Sequence, residues 1–188
     1  MIAVARGLTT DRAPLLADTL MSAGLNVLEV TMELGDGLAA IAALAGSPMT
    51  VGAGTVMSAS EAGSAVGAGA SFLVSPHLDG DLIAWAESHE VPFIPGVISP
   101  AEVARAHQLG SRAVKLFPSS FGGPALVSAL SGPFHEIALI PTGGITAENA
   151  AEYLRAGAAA VGIGGWLTGP YDLDEVARRA RAVAASVH

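Results

Sequence analysis

Residues 27–56 read VLEVTMELGDGLAAIAALAGSPMTVGAGTV. The stretch opens with a five-residue apolar run, VLEVT (27–31), in which side chains alternate between two faces. Gly35, Asp36 and Gly37 interrupt it, and from Asp36 to near Gly46 the spacing of Leu, Ala and Ile is helical. A second apolar run, TVGAG (50–54), follows at once. Strand, helix and strand joined by short turns make a parallel unit, because the helix carries the chain back to the starting end.

The same unit recurs on both sides. The other runs are IAVA (2–5), SFLVS (71–75), PFIPG (92–96), AVKLF (113–117), IALIP (137–141) and AAVGI (159–163). Successive runs start about 20–25 residues apart, the length of one strand, two loops and one helix. Helices are expected from Thr10-Asp11 to near Gly24, Ser58 to Gly69, Leu78 to Glu90, Ser99 to Gly110, Pro124 to Gly132, Thr146 to Gly157 and Asp172 to His188. Ser99-Pro100 pairs an N-cap with proline at the first helical position. Eight strand–helix units predict one domain over 1–188, an α/β chain closed into a (β/α)8 TIM barrel, which leaves no edge strand. The competing architecture is an open doubly wound sheet. It lacks the Gly-x-Gly-x-x-Gly turn expected after its first strand.

Bulk composition narrows the function classes. The chain has 188 residues, 51% of them hydrophobic and 14% charged, with a formal net charge of −8. That sign argues against nonspecific nucleic-acid binding, which needs basic surface. It does not argue against small anions, which answer to local charge. No cysteine is present, so disulfides and thiolate metal sites are excluded. No apolar run approaches the roughly 18 residues of a membrane span. Met1 leads directly into the first run without a basic leader segment, so the cytoplasm is the expected location. No HExxH motif or His/Asp cluster is visible, so neither a metal nor another cofactor is expected.

In a barrel the chemistry collects at the C-terminal ends of the strands. Arg6, Thr31, Thr55, Ser75, His77, Thr142, Gly143, Gly144, Gly162, Gly164 and Gly165 all stand there or close by. Two charges lie within apolar runs: Glu29, between Leu28 and Val30, and Lys115, between Val114 and Leu116. Alternation turns each away from its apolar neighbours, so both are expected inside the barrel. Lys115 is the chain's single lysine; the other basic side chains are arginines. An arginine serves for a surface charge, but guanidinium cannot lose its proton and attack a carbonyl. A desolvated amine can. An amine and a carboxylate in one pocket are the equipment of a Schiff-base enzyme. The alternative is an inert ion pair in which each charge only neutralises the other. Gly-rich turns at PTGGIT (141–146) and GIGG (162–165) add backbone N–H groups where barrels commonly bind phosphate. The residues thus point to a lyase acting on a small keto compound, phosphorylated at its far end.

The segments LEVT (28–31), VGAGTV (51–56), VSPHLD (74–79), PGVISP (95–100), VKLFPSS (114–120), GPF (132–134), PTGGIT (141–146) and VGIGG (161–165) occur in this order. Together they resemble the KHG/KDPG aldolases, a family of class I aldolases acting on 2-keto-3-deoxy-6-phosphogluconate and 4-hydroxy-2-oxoglutarate. The resemblance covers nearly the whole chain and implies a compact barrel, a homotrimer, pyruvate and an aldehyde as products, and no cofactor. It implies Lys115 as the Schiff-base lysine and Glu29 as the general acid/base. Thr55 and the end of the first or second strand would bind the pyruvyl carboxylate. Pro76 and Phe117 would line the pocket, and Thr142, Gly143, Gly144, Gly164 and Gly165 would hold the distal end.

Two positions depart from the family pattern. Glu33 stands where many members carry arginine, so Arg6 becomes the candidate partner for the substrate carboxylate. Gly165 replaces a common serine and removes a hydroxyl within reach of phosphate. Thr142 leans toward the gluconate over the galactonate epimer, since members acting on the latter often carry valine there. A sulfur-carrier-dependent imine barrel, a phosphosugar isomerase and a non-catalytic binding barrel are the competing functions. His77 and Trp166 are further candidates for the pocket wall. His89, His107, His135, His188 and Trp85 are assigned to surface, loop or packing.

Overall fold

A computed structural model describes residues 1–34, 36–169 and 172–186. The opening unit forms β1 (Ile2–Ala5), α1 (Ala13–Ser22) and β2 (Val27–Thr31). It continues through α2 (Gly37–Ala43), β3 (Thr50–Gly54), α3 (Ala59–Gly67), β4 (Phe72–Val74) and α4 (Gly80–Ser88). Next come β5 (Phe93–Ile94), β6 (Gly96–Val97), α5 (Pro100–Gln108), β7 (Ala113–Leu116) and α6 (Gly123–Ser131). The chain ends with β8 (Ala138–Pro141), α7 (Ala150–Arg155), β9 (Gly162–Ile163), α8 (Gly165–Thr168) and α9 (Leu173–Ser186).

All strand pairs are parallel. One curled sheet has the order β5-β4-β3-β2-β1-β9, and a second has the order β6-β7-β8. A parallel bridge between Thr142 and Gly162 lies beyond the end of β8. The α/β class and the parallel order are as expected, and the strands are hydrogen-bonded as an arc of six and an arc of three. The break has a local cause. The fifth predicted run, 92–96, splits at Pro95, which has no N–H to give to a ladder. No helix among the described residues is long and apolar enough to cross a membrane.

Helix boundaries follow the side chains near them. α1 starts at Ala13, later than Thr10-Asp11, because Pro14 is tolerated only in a first turn. α7 starts at Ala150 instead of Thr146. Asn149 Oδ1 accepts from the Thr146 N–H, and its Nδ2 donates to the Gly144 carbonyl, so this side chain ties the preceding turn. α8 was not expected. α9 runs from Leu173 to Ser186, one residue after the start expected at Asp172, and the end expected at His188 lies outside the described residues.

α5 opens as expected. The Glu102 backbone N–H donates to Ser99 Oγ, and Glu102 Oε2 accepts from the Ser99 backbone N–H. The Ser99 hydroxyl holds the Glu102 carboxyl below its usual range, assisted by the Ile98 and Ser99 N–H groups against partial burial. Ser99→Ala is expected to cost about 1 kcal/mol. Part of that penalty disappears as pH falls through the lowered Glu102 value, because the Ser99 hydroxyl donates to the Glu102 carboxylate and loses that charged acceptor on protonation. Urea unfolding at neutral and acidic pH measures both, and an equal penalty at both values would refute the coupling.

Two apolar layers hold the strands. Leu28, Val30, Val114 and Leu116 are buried against the helices. On the opposite face Ile2, Val4 and Ile140, with Val27, Ile94, Ala113 and Ala160 around them, fill the interior at the N-terminal end of the strands. This inner layer closes one end, so the next residues along each strand form the floor of a site that opens at the other.

Candidate active site

Period-2 alternation carries Val27, Glu29 and Thr31 to one face of β2, and Ala113 and Lys115 to one face of β7. Glu29 belongs to the six-stranded sheet and Lys115 to the three-stranded sheet. Lys115 Nζ donates to Glu29 Oε1 at 2.9 Å across the interior between them. The side chains are only 8% and 3% exposed, respectively, so neither charge has bulk water as its main partner. A buried charge without a partner costs several kcal/mol. Pairing therefore keeps both charges in an interior that would otherwise reject them.

Gly54 makes room for this pair. A Cβ at Gly54 would meet Glu29 Cγ at 2.7 Å and Cδ at 2.8 Å, closer than real contacts allow. Gly54→Ala is expected to displace the carboxylate, costing about 1–3 kcal/mol of stability through overpacking. Turnover should fall by roughly 10²-fold, the effect of a displacement near 1 Å at reacting groups. Unfolding curves and steady-state kinetics on the same preparation test this. Full activity in the folded variant would mean that the position of Glu29 is immaterial.

Above the pair lies a cleft of about 430 Å³ at the C-terminal ends of the strands. Arg6 follows β1, Glu33 follows β2, Thr55 follows β3 and Pro76 follows β4; all line it. Lys115 forms part of the floor, with Nζ 5.4 Å from the Phe117 ring centre. Thr142, Gly143 and Gly144 form one wall, and Gly164, Gly165 and Trp166 form another. Every predicted binding residue is thus brought to one cleft, while Glu29 sits behind Lys115 without lining it. His77 is not among the lining residues; its Nδ1 lies 3.0 Å from Ser75 Oγ.

Sequence reasoning did not anticipate Val4, Ile145 or Thr146 in the lining. It also missed Ser119, whose hydroxyl donates to the Gly143 carbonyl at 2.7 Å and whose N–H donates to the Thr142 carbonyl at 2.8 Å. These bonds tether the glycine turn to the segment after β7. The available signal was the serine pair ending VKLFPSS. Gly143 and Gly144 have φ of 98° and 78°, a left-handed path that glycine adopts without a Cβ penalty. Thr55 also has positive φ, 58°, which is costly for a β-branched residue and is found chiefly at functional sites.

Arg6 and Glu33 form a second ion pair at the cleft, with Arg6 Nε 2.7 Å from Glu33 Oε1. Partial burial opposes ionisation of Glu33. Its own backbone N–H, the Thr55 and Thr31 hydroxyls and Arg6 outweigh that effect and hold its carboxyl below the usual range. Arg6 thus stands at the predicted place but is already engaged. Trp166 is fixed from behind, since Arg179 donates to its carbonyl and lies 5.3 Å from its ring. Among the described residues no group of three or more His, Asp or Glu side chains is placed to hold a metal ion.

The family model described as KDPG and KHG aldolase matches residues 1–178. The chain belongs to that family. A 2-dehydro-3-deoxy-phosphogluconate aldolase from Pseudomonas aeruginosa is 41% identical to this chain over 142 residues. The alignment spans 74% of this chain and 64% of the relative, just under two thirds of its length. A solved 4-hydroxy-2-oxoglutarate/2-dehydro-3-deoxyphosphogluconate aldolase is 39% identical, with a TM-score of 0.91, covering 99% of this chain and 94% of that one. The KDPG aldolase of Legionella pneumophila, captured with pyruvate as a covalent carbinolamine, is 30% identical with a TM-score of 0.83, covering 98% and 91%. Aldolases are carbon–carbon lyases, the class to which the lysine–carboxylate site points.

Proposed function

We propose that the chain is a class I aldolase that cleaves 2-keto-3-deoxy-6-phosphogluconate to pyruvate and glyceraldehyde 3-phosphate. The observation that carries this reading is the 2.9 Å pair of Lys115 and Glu29 at the cleft floor. In the reading, Glu29 takes the proton of Lys115, and the free amine attacks C2 of the substrate. The carbinolamine loses water, with Glu29 moving the protons, to give an imine. Glu29, directly or through water, then removes the C4 hydroxyl proton. The C3–C4 bond breaks, its electrons enter the imine as an enamine, and the aldehyde leaves. Protonation at C3 and hydrolysis release pyruvate and restore the amine.

Arg6 and Thr55 are the proposed partners of the pyruvyl carboxylate, with Pro76 and Phe117 as apolar walls. Thr142, Gly143, Gly144, Gly164 and Gly165 are proposed to hold the phosphate end through backbone N–H groups. The exchange of a hydroxyl for hydrogen at Gly165 favours a second substrate reading. In it the distal end is unphosphorylated, as in 4-hydroxy-2-oxoglutarate. The proposed scaffold is one closed eight-stranded barrel. β5 and β6 are then the two halves of the run interrupted at Pro95, and the Thr142–Gly162 bridge joins the two arcs. The proposed assembly is a homotrimer, on the family resemblance.

Borohydride reduction in the presence of pyruvate, followed by intact mass and peptide mapping, tests the reading. With one lysine in the chain, the amines open to trapping are Lys115 and the N-terminus. An adduct at Lys115 is expected. A folded sample without that adduct would return the pair to a purely structural role.

A further inference from the structure

The charges of the cleft are balanced in a way the chemistry does not require. The cations among its lining residues are Lys115 and Arg6, and each already faces a carboxylate, Glu29 and Glu33 respectively. The side-chain charges at the site therefore sum to zero before any anion enters, on a chain whose formal net charge is −8. Both substrate readings need a cation for a carboxylate.

The two members of the Arg6–Glu33 pair are held unequally. The Arg6 side chain is 69% exposed, whereas that of Glu33 is 25% exposed and sits with the Thr55 and Thr31 hydroxyls. A long exposed arginine reorients at little cost, and an exposed ion pair contributes little stability. The anchored carboxylate stays where it is. An incoming carboxylate that reaches Arg6 therefore does so beside a fixed like charge.

We propose that Glu33 sets the threshold for anion binding at this end of the cleft: it pairs with Arg6 and admits a substrate carboxylate to that arginine only in competition with itself. This rests on the reading that Arg6 meets the substrate carboxylate. The device penalises every anion equally at first contact. Occupancy then requires further binding energy elsewhere in the cleft, which a keto acid able to form an imine with Lys115 can supply. A simple carboxylate without a carbonyl has no such return. Glu33 thus raises the concentration at which any carboxylate fills the site, and weak ligands fall below it first.

The test uses Glu33→Gln, Arg6→Gln and the double variant, with pyruvate and acetate as probes. Saturation of borohydride trapping at Lys115 reads pyruvate affinity, and acetate is read as a competitor of that trapping. Glu33→Gln is expected to bind both probes more tightly, by roughly three- to thirtyfold, the size of a like-charge contact at a partly solvated site. The trapping yield at saturating pyruvate should not change. Acetate is expected to gain by the same factor as pyruvate, so the ratio of their affinities stays the same. In the Arg6→Gln background the same Glu33 change should have no more than a twofold effect. Weaker binding in Glu33→Gln overturns the proposal, because Glu33 would then be holding Arg6 in its binding position. An undiminished gain without Arg6 also overturns it, since Glu33 would be acting on the ligand alone. Absence of a Lys115 adduct in the unaltered protein instead removes the Schiff-base reading, and mass mapping separates that failure from the others.

Discussion

Lys115→Arg is expected to give a folded protein with no measurable turnover and no borohydride adduct. The guanidinium keeps a positive charge next to Glu29, so the interior ion pair is retained in kind. It cannot lose its proton to become a nucleophile, so no imine forms. The variant thus separates the two roles of the lysine, charge neutralisation and attack. Lys115→Ala should be equally inactive, but for a mixed reason. It leaves the Glu29 carboxylate in a site where its side chain is only 3% exposed, without a cation. Removing one partner of such a pair costs about 3–5 kcal/mol. Loss of activity in that variant is interpretable only beside a circular dichroism spectrum and a denaturation curve. Near-normal turnover in Lys115→Arg would sink the mechanism.

Glu29→Gln is expected to slow turnover by roughly 10²–10⁴-fold, the range for losing a positioned acid/base group. The amide keeps nearly the same shape in the space left by Gly54, and its oxygen still accepts from Lys115. What it loses is the capacity to take a proton from the amine and from the substrate hydroxyl. Pyruvate should still be trapped on Lys115, but more slowly. Stability should drop by up to about 3–5 kcal/mol where the lysine remains charged without a counter-ion. Rapid-quench trapping and steady-state turnover on the same sample measure the two losses separately. Unchanged turnover would reduce Glu29 to a counter-ion.

Much of the scaffold was legible from short segments. The runs at 2–5, 27–31 and 50–54 are strands with the expected bounds, because alternation and flanking turns are nearest-neighbour properties. Ser99 and Ser58 cap the helices they precede for the same reason. Errors clustered where one side chain reaches over several residues. Asn149 binds back to Thr146 and Gly144 and delays α7, and Pro95 divides one run into β5 and β6. The four-residue α8 lies in glycine-rich sequence, where composition gives helix no advantage.

The site was legible in part, and the division is a physical one. Alternation alone turns Glu29 and Lys115 away from Leu28, Val30, Val114 and Leu116, and chemistry alone makes a single lysine in an apolar strand a candidate nucleophile. Their 2.9 Å contact spans 86 residues and two sheets, and no local pattern encodes such a separation. The same holds for the space that Gly54 leaves for Glu29 and for the Ser119 tether on the glycine turn. Glu33 shows the limit most plainly. In the sequence it is a carboxylate in place of an expected arginine. Only the tertiary structure sets it against Arg6, because parallel pairing of β1 with β2 brings the ends of two separate strands side by side. Periodicity and residue chemistry determined which side chains face inward and what they can do. Which of them meet was decided by closure of the chain around the core.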